Sequence, residues 1–169
     1  MSYNGRKINL IAAVDKNWAI GYNNKLLISI PEDMKFFMET TTGGICIMGR
    51  GTLESLPAGM PLKNRVNIVL THDKAFNVSG AVIAHSVVEA LDQLLAYNKD
   101  VYIIGGESIY RQFLPYTDVA YITYIDYKYQ ADRYFPNLDE DDQWRLTEES
   151  EEQTYFNVEY YYRKYERIN

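Results

Sequence analysis

Apolar runs of strand length alternate with helical stretches through the first two-thirds of this chain. That alternation restricts the fold more than any other feature. "KINLIAAV" (Lys7 to Val14) reads as a buried strand with a small-residue centre at Ala12 and Ala13. "ICIMG" leads through Arg50 and Gly51 into a short helix, "TLESL". "RVNIVLT" (Arg65 to Thr71) is a third strand and "AVIAH" a short fourth. "SVVEALDQLLA" (Ser86 to Ala96) is an amphipathic helix, and its Ser86 and Glu89 have the spacing of a capping box. "DVYIIGGESIYRQFL" gives strand, Gly-Gly turn and helix, and "DVAYITYIDY" is another strand. Such alternation predicts a parallel sheet with helices on both faces. The tail "WRLTEESEEQTYFNVEYYYRKYE" predicts two long strands joined by an acidic turn, an antiparallel hairpin at the sheet edge. The expected class is α/β, with a mixed, mostly parallel sheet.

The 169 residues suit one domain, 1–169, with a sizeable core, and the hydrophobic share of 47% fits a globular chain. No apolar run approaches the ~20 residues of a membrane span. The opening "MSYNGRK" lacks the apolar core of a signal peptide, so a cytoplasmic protein is expected. Cys46, the single cysteine, lies between Ile45 and Ile47 and reads as a buried structural thiol. With only two histidines, scattered along the chain, a metal site is not expected. A net charge of −6 disfavours nucleic acid. The Tyr-rich last strand has acidic neighbours and reads as structural rather than as a stacking platform for bases. The run "LDEDDQW" reads as a solvated acidic turn.

Two segments stand out for chemistry. The long connection "DKNWAIGYNNKLLISI" (Asp15 to Ile30) is unusual in a compact domain, and such loops are more often functional than not. After it, Pro31 predicts the first position of a helix. Glu32 and Asp33 then sit in a first turn, where the helix dipole favours acids. Asp33 also shares a helix face with Phe37, with Met34 and Met38 nearby, so it could point into the protein instead. In an open α/β sheet, ligands bind outside the carboxyl ends of strands. Gly49 and Gly51 with Arg50 and Thr52, Gly105 and Gly106, and Thr71 with His72 all follow strands. Together they suggest an extended phosphorylated ligand such as a dinucleotide, although the G-x-G-x-x-G fingerprint is absent.

Six blocks, "INLIAAVDKNWAIG", "IPEDMKFF", "IMGRGTLES", "VYIIGGESIY", "YITYID" and "YFP", occur in an order and at spacings that resemble the dihydrofolate reductase family. The resemblance runs from Ile8 into the C-terminal hairpin. It implies a central mixed eight-stranded sheet flanked by helices, and hydride transfer from NADPH to dihydrofolate. By the same resemblance Asp33 is the active-site acid that holds the pterin, supported by Thr123. Ile11, Ala13, Met34, Phe37, Leu56, Leu62, Ile104 and Tyr110 would line the substrate pocket, and Arg65 would grip the glutamate α-carboxylate. For the cofactor, Ala13, Ile20 and Gly21 would frame the nicotinamide. Gly49, Arg50, Gly51, Thr52, Leu70, Thr71 and His72 would meet the adenosine phosphates. Gly105, Gly106, Glu107, Ser108 and Ile109 would take the pyrophosphate, with Tyr110 near the nicotinamide. The loop Asp15 to Ile30 matches the family's mobile lid, and no metal, nucleic acid, membrane or second subunit is implied.

The chain departs from the family pattern at Leu26, Leu27 and Ile28, where Leu-Pro-Trp is usual. Ile28 has no N–H to hold a water near the pterin, so a reduced rate and an altered response to antifolates such as trimethoprim are expected. Gly51 stands where Arg or His is common, which points to a weaker preference for NADPH. Two rivals stay open at this level: the related pyrimidine reductase of riboflavin synthesis, and a non-catalytic folate- or nucleotide-binding protein.

Overall fold

The computed structural model describes residues 5–168. The segment read for a signal peptide lies partly outside them, since it begins at Met1. The parallel part of the sheet contains β1 (Ile8–Val14), β3 (Ile45–Gly49), β4 (Val66–Leu70), β5 (Ala81–Ala84), β6 (Val101–Gly105) and β7 (Val119–Ile125). The antiparallel edge contains β9 (Trp144–Glu149), β10 (Gln153–Tyr155) and β11 (Val158–Arg167). The strand order is β10-β11-β7-β1-β6-β3-β4-β5, with β9 also paired to β11. β1 pairs in parallel with both β6 and β7, and β11 runs antiparallel to β7. The mixed eight-position sheet expected from the sequence is therefore present, with β9 and β10 sharing the last position.

Strand side chains alternate between the two faces, and the helices divide accordingly. Ile45 and Ile47 of β3 join Ile8, Leu10 and Ile103 in a core completed by α3 (Val87–Gln93) and α4 (Glu107–Phe113). Cys46 and Met48 point the other way and pack with Leu53 of α2 (Arg50–Ser55). Ile30, at the start of α1 (Pro31–Thr41), packs on Ile125 and Tyr160 of that second face. Cys46 is fully buried, and burial pushes its thiol up to about 11.

Local chemistry explains the helix ends. Pro31 is the first residue of α1. The last turn of α1 contains no basic residue, and Arg65 supplies the cation from outside the helix. Its guanidinium donates to Met38 O at 3.0 Å and to the Thr41 hydroxyl at 2.8 Å, adding a positive charge to the carbonyl end of the helix, where Met38 O already accepts from Thr42 N. Ser86 accepts from the Glu89 amide at 3.0 Å. The Glu89 carboxylate accepts from His85 N, not Ser86 N, so the capping box is displaced by one residue.

Three expectations need correction. The hairpin turn is not the acidic stretch. Ser150 to Glu152 only interrupts the outer arm between β9 and β10. The reversal lies between Tyr155 and Val158, where Phe156 has φ +53°. The acidic side chains pair instead with β11: Arg163 to Glu149 at 2.6 Å and Lys164 to Glu148 at 3.3 Å. The "LDEDDQW" turn is not simply solvated, because Asp139 accepts from the buried Tyr165 hydroxyl at 2.8 Å.

The Asp15 to Ile30 connection is not structureless. It contains β2 (Ala19–Gly21), which pairs with β8 (Arg133–Tyr134) in a small second sheet. Asn23 and Asn24, with φ of +52° and +62°, form a tight reversal closed by Tyr22 and Lys25. Trp18 is buried between Phe135 and Tyr165. Asp15 is fully buried and accepts from the backbone N–H of Asn17, Ala19 and Tyr129 at 2.8, 3.0 and 2.9 Å.

Candidate active site

A cleft of about 1230 Å³ crosses the carboxyl ends of β1, β3, β4, β6 and β7. The sheet order places β6 between β1 and β3, although the chain visits β3, β4 and β5 first. The crevice lies at this crossover, where open α/β sheets bind ligands.

Asp33 stands on one wall. Pro31 starts the helix so that Asp33 falls in its first turn, facing the cleft with Met34 and Phe37, while Glu32 is exposed. Thr123 Oγ1, from β7, donates to Asp33 Oδ1 at 2.6 Å. Burial holds the Asp33 carboxyl above the usual carboxylate range, and the Thr123 hydrogen bond opposes this without cancelling it. A carboxylate in an apolar slot, with one oxygen already oriented, can accept two parallel N–H bonds from a flat heterocycle. Ile11, Ala13, Leu56 and Ile104 supply apolar surface around it.

The middle of the cleft is shaped by glycine. Gly105 has φ +115°, and a Cβ there would lie 3.0 Å from the Tyr110 ring. The buried Tyr110 hydroxyl lies 2.8 Å from the Ile11 carbonyl and 2.9 Å from the Ile104 carbonyl, tying β1 to β6. A Cβ at Gly49 would press on Ile109 at 3.1 Å, so glycine lets α4 approach β3. A Cβ at Gly51 would meet nothing within 4 Å, and one at Gly106 only the Thr52 hydroxyl at 3.7 Å. The backbone here is open to a closely approaching ligand.

Most of the residues singled out in the sequence converge on this cleft. Ile20, Gly21 and Leu26 line it from the connecting segment, and Gly49, Gly51 and Thr52 from the β3–α2 turn. Leu70, Thr71 and His72 line its far end, and Gly106, Glu107, Ser108, Ile109 and Tyr110 its floor. Glu107 is partly occupied, since its carboxylate pairs with Arg111 at 3.7 Å.

Several are not in the lining. Leu62 packs behind Leu56 and Ile104. Arg65 caps α1. Ile28 packs with Ile30, Tyr160 and Tyr162 in the apolar cluster behind α1. Leu27 is half-buried beside it, outside the lining. Gly105 acts through its backbone. The Arg50 guanidinium is engaged by Glu54 and Asp73, at 3.2 Å each, and lies 4.2 Å over the Phe76 ring.

Other lining residues went unnoticed in the sequence. Arg133 reaches the cleft from β8, a two-residue strand too short to leave a periodic signal. His85 and Ser86 line the far end, and His85 Nδ1 lies 2.8 Å from the Thr71 carbonyl. Ser86 was visible only as a helix cap.

Fold and cleft together define an α/β protein with an acid-anchored pocket at one end of a long crevice and open glycine turns towards the other. A family model described as dihydrofolate reductase matches residues 7–167. The dihydrofolate reductase of Staphylococcus haemolyticus is 40% identical over 166 residues, covering 96% of both chains. That of Bacillus subtilis (strain 168) is 37% identical over 139 residues, covering 82% of this chain and 80% of its own. A solved structure, dihydrofolate reductase from Enterococcus faecalis complexed with NADP(H) and RAB-propyl, superposes with a TM-score of 0.87. It is 30% identical and covers 96% of this chain and 97% of its own. The chain belongs to the dihydrofolate reductase family.

Proposed function

We propose that this protein reduces 7,8-dihydrofolate to tetrahydrofolate with NADPH, and that Asp33 is the residue on which the reaction turns. The Asp33–Thr123 pair in the apolar cleft carries this reading. NADPH supplies the hydride when bound. The open backbone at Gly51 and Gly106 fits a dinucleotide lying along the cleft, with the hydroxyls of Thr52 and Thr71 at its adenosine end.

The chain's own residues do the remaining work. Asp33 accepts from the pterin 2-amino group and the neighbouring ring nitrogen, with Thr123 fixing the carboxylate plane. Its negative charge favours the protonated ring, and a water can deliver the proton to the imine nitrogen. Ile11, Phe37 and Ile104 exclude bulk water and hold the reacting carbons close. Arg65, which caps the helix bearing Phe37 from outside the cleft lining, is the cation we assign to the substrate's glutamate α-carboxylate. The segment from Asp15 to Ile30 covers the nicotinamide. We place the protein in the cytoplasm as a monomeric single domain. Among the described residues no helix is long and apolar enough to cross a membrane.

Ile28, packed behind α1 with Tyr160 and Tyr162, offers no donor towards the pterin. Ile28→Trp is expected to raise kcat/KM for dihydrofolate by up to about tenfold, one hydrogen bond's worth. Unchanged kcat and KM would remove this account of the position. The functional assignment itself is tested by supplying NADPH with dihydrofolate or with a ribosylated, phosphorylated aminopyrimidine. Consumption of dihydrofolate alone is expected. Consumption of the pyrimidine, or binding of both folate and cofactor without turnover, would overturn it.

A further inference from the structure

Beside the far end of the cleft, next to Thr71 and His72, charges of both signs are paired with one another. Arg50 donates from Nε to Glu54 Oε2 and from Nη1 to Asp73 Oδ2, each at 3.2 Å. Asp73 is itself fixed: its amide donates to Thr71 Oγ1 at 3.2 Å, and its Oδ1 accepts from Ala75 N at 2.9 Å. Its other oxygen is thereby aimed at Arg50, beside cleft residues Thr71 and His72. Gly51, next to Arg50, adds no side chain although the space beyond its Cα is open. In dinucleotide sites an acid suits a free ribose 2′-hydroxyl, whereas arginine suits a 2′-phosphate. Here the two are paired with each other.

We propose that Asp73 sets the discrimination between dinucleotides with and without a 2′-phosphate, by holding Arg50 and placing a negative charge where the phosphate must approach. The proposal rests on the reductase reading above and names the residue that limits its cofactor preference. Two opposed effects meet at Asp73. It orients Arg50, which helps a phosphate, and it competes with the phosphate, which hinders one. Phe76 decides between them, because the guanidinium stays stacked on that ring when the carboxylate is gone. Competition is therefore the larger effect. An exposed ion pair of this kind corresponds to a factor of about two to five in binding.

The test is calorimetric titration of the full chain with NADP+ and NAD+, and with 2′,5′-ADP and 5′-AMP to isolate the adenosine end. Asp73→Asn is expected to tighten NADP+ and 2′,5′-ADP by about two- to fivefold, leave NAD+ and 5′-AMP within error, and lose the difference at high salt. Glu54→Gln should act in the same direction. Unchanged or weakened NADP+ binding in Asp73→Asn would overturn the proposal while leaving the reductase reading intact. Failure of the parent chain to bind either dinucleotide would overturn both.

Discussion

Asp33→Asn is expected to lower kcat/KM for dihydrofolate by about two to four orders of magnitude, the range for removal of an essential acid–base group. Asparagine keeps the shape and can still accept from Thr123, but it cannot favour a protonated pterin. The same substitution is expected to stabilise the free protein at neutral pH. Burial raises the Asp33 pKa in the folded chain. A carboxyl raised in this way contributes fully to stability only below its unfolded pKa, and that contribution is lost as pH rises through the folded value. At neutral pH the ionised side chain is therefore a cost, and asparagine removes it. Chemical denaturation should show Asp33→Asn more stable than the parent at about pH 7, with the advantage shrinking as the pH falls below the raised pKa. Near-normal turnover would refute the assigned role, and lower stability at neutral pH would recast Asp33 as a structural acid.

Asp15→Ala should act in the opposite way. Three backbone N–H groups converge on this fully buried carboxylate, joining the end of β1, the turn before β2 and the segment leading to β8. Alanine leaves those donors without their acceptor, at a cost of about 3–4 kcal/mol overall. Asp15→Asn, which retains one acceptor oxygen, should lose about half of that. The denaturant midpoint measures both. A loss below about 1 kcal/mol for Asp15→Ala would mean that the segment is held by Trp18 and its aromatic neighbours alone.

The two acids show what the sequence made legible and what it did not. Pro31 announced the helix, and the apolar residues one turn away allowed Asp33 to face inward. Its partner Thr123 lies 90 positions away, so no local pattern joined the two, and only the likeness of whole blocks paired them. Asp15 carried no such mark. Its role depends on three amides brought together by tertiary structure, and the 15–30 segment read simply as a long loop.

The hairpin was recognised, but its reversal was misplaced. The acidic run has the composition of a turn, whereas the actual turn depends on the backbone of Phe156. Arg50 and Arg65 illustrate a further limit. Sequence gives a charge, and only packing shows that Arg65 caps α1 and that Arg50 is shared with Glu54 and Asp73.

The central claim is direct hydride delivery within this cleft, with Asp33 holding the acceptor and Ile28 in place of the usual tryptophan. The most direct measurement uses NADPH dideuterated at its hydride-donating carbon, with dihydrofolate and the purified protein, and mass spectrometry of the product. The account predicts tetrahydrofolate carrying deuterium on its pterin ring, formed by the parent chain and nearly absent with Asp33→Asn. Tetrahydrofolate without the label, or cofactor oxidation that proceeds equally well without dihydrofolate, would contradict it.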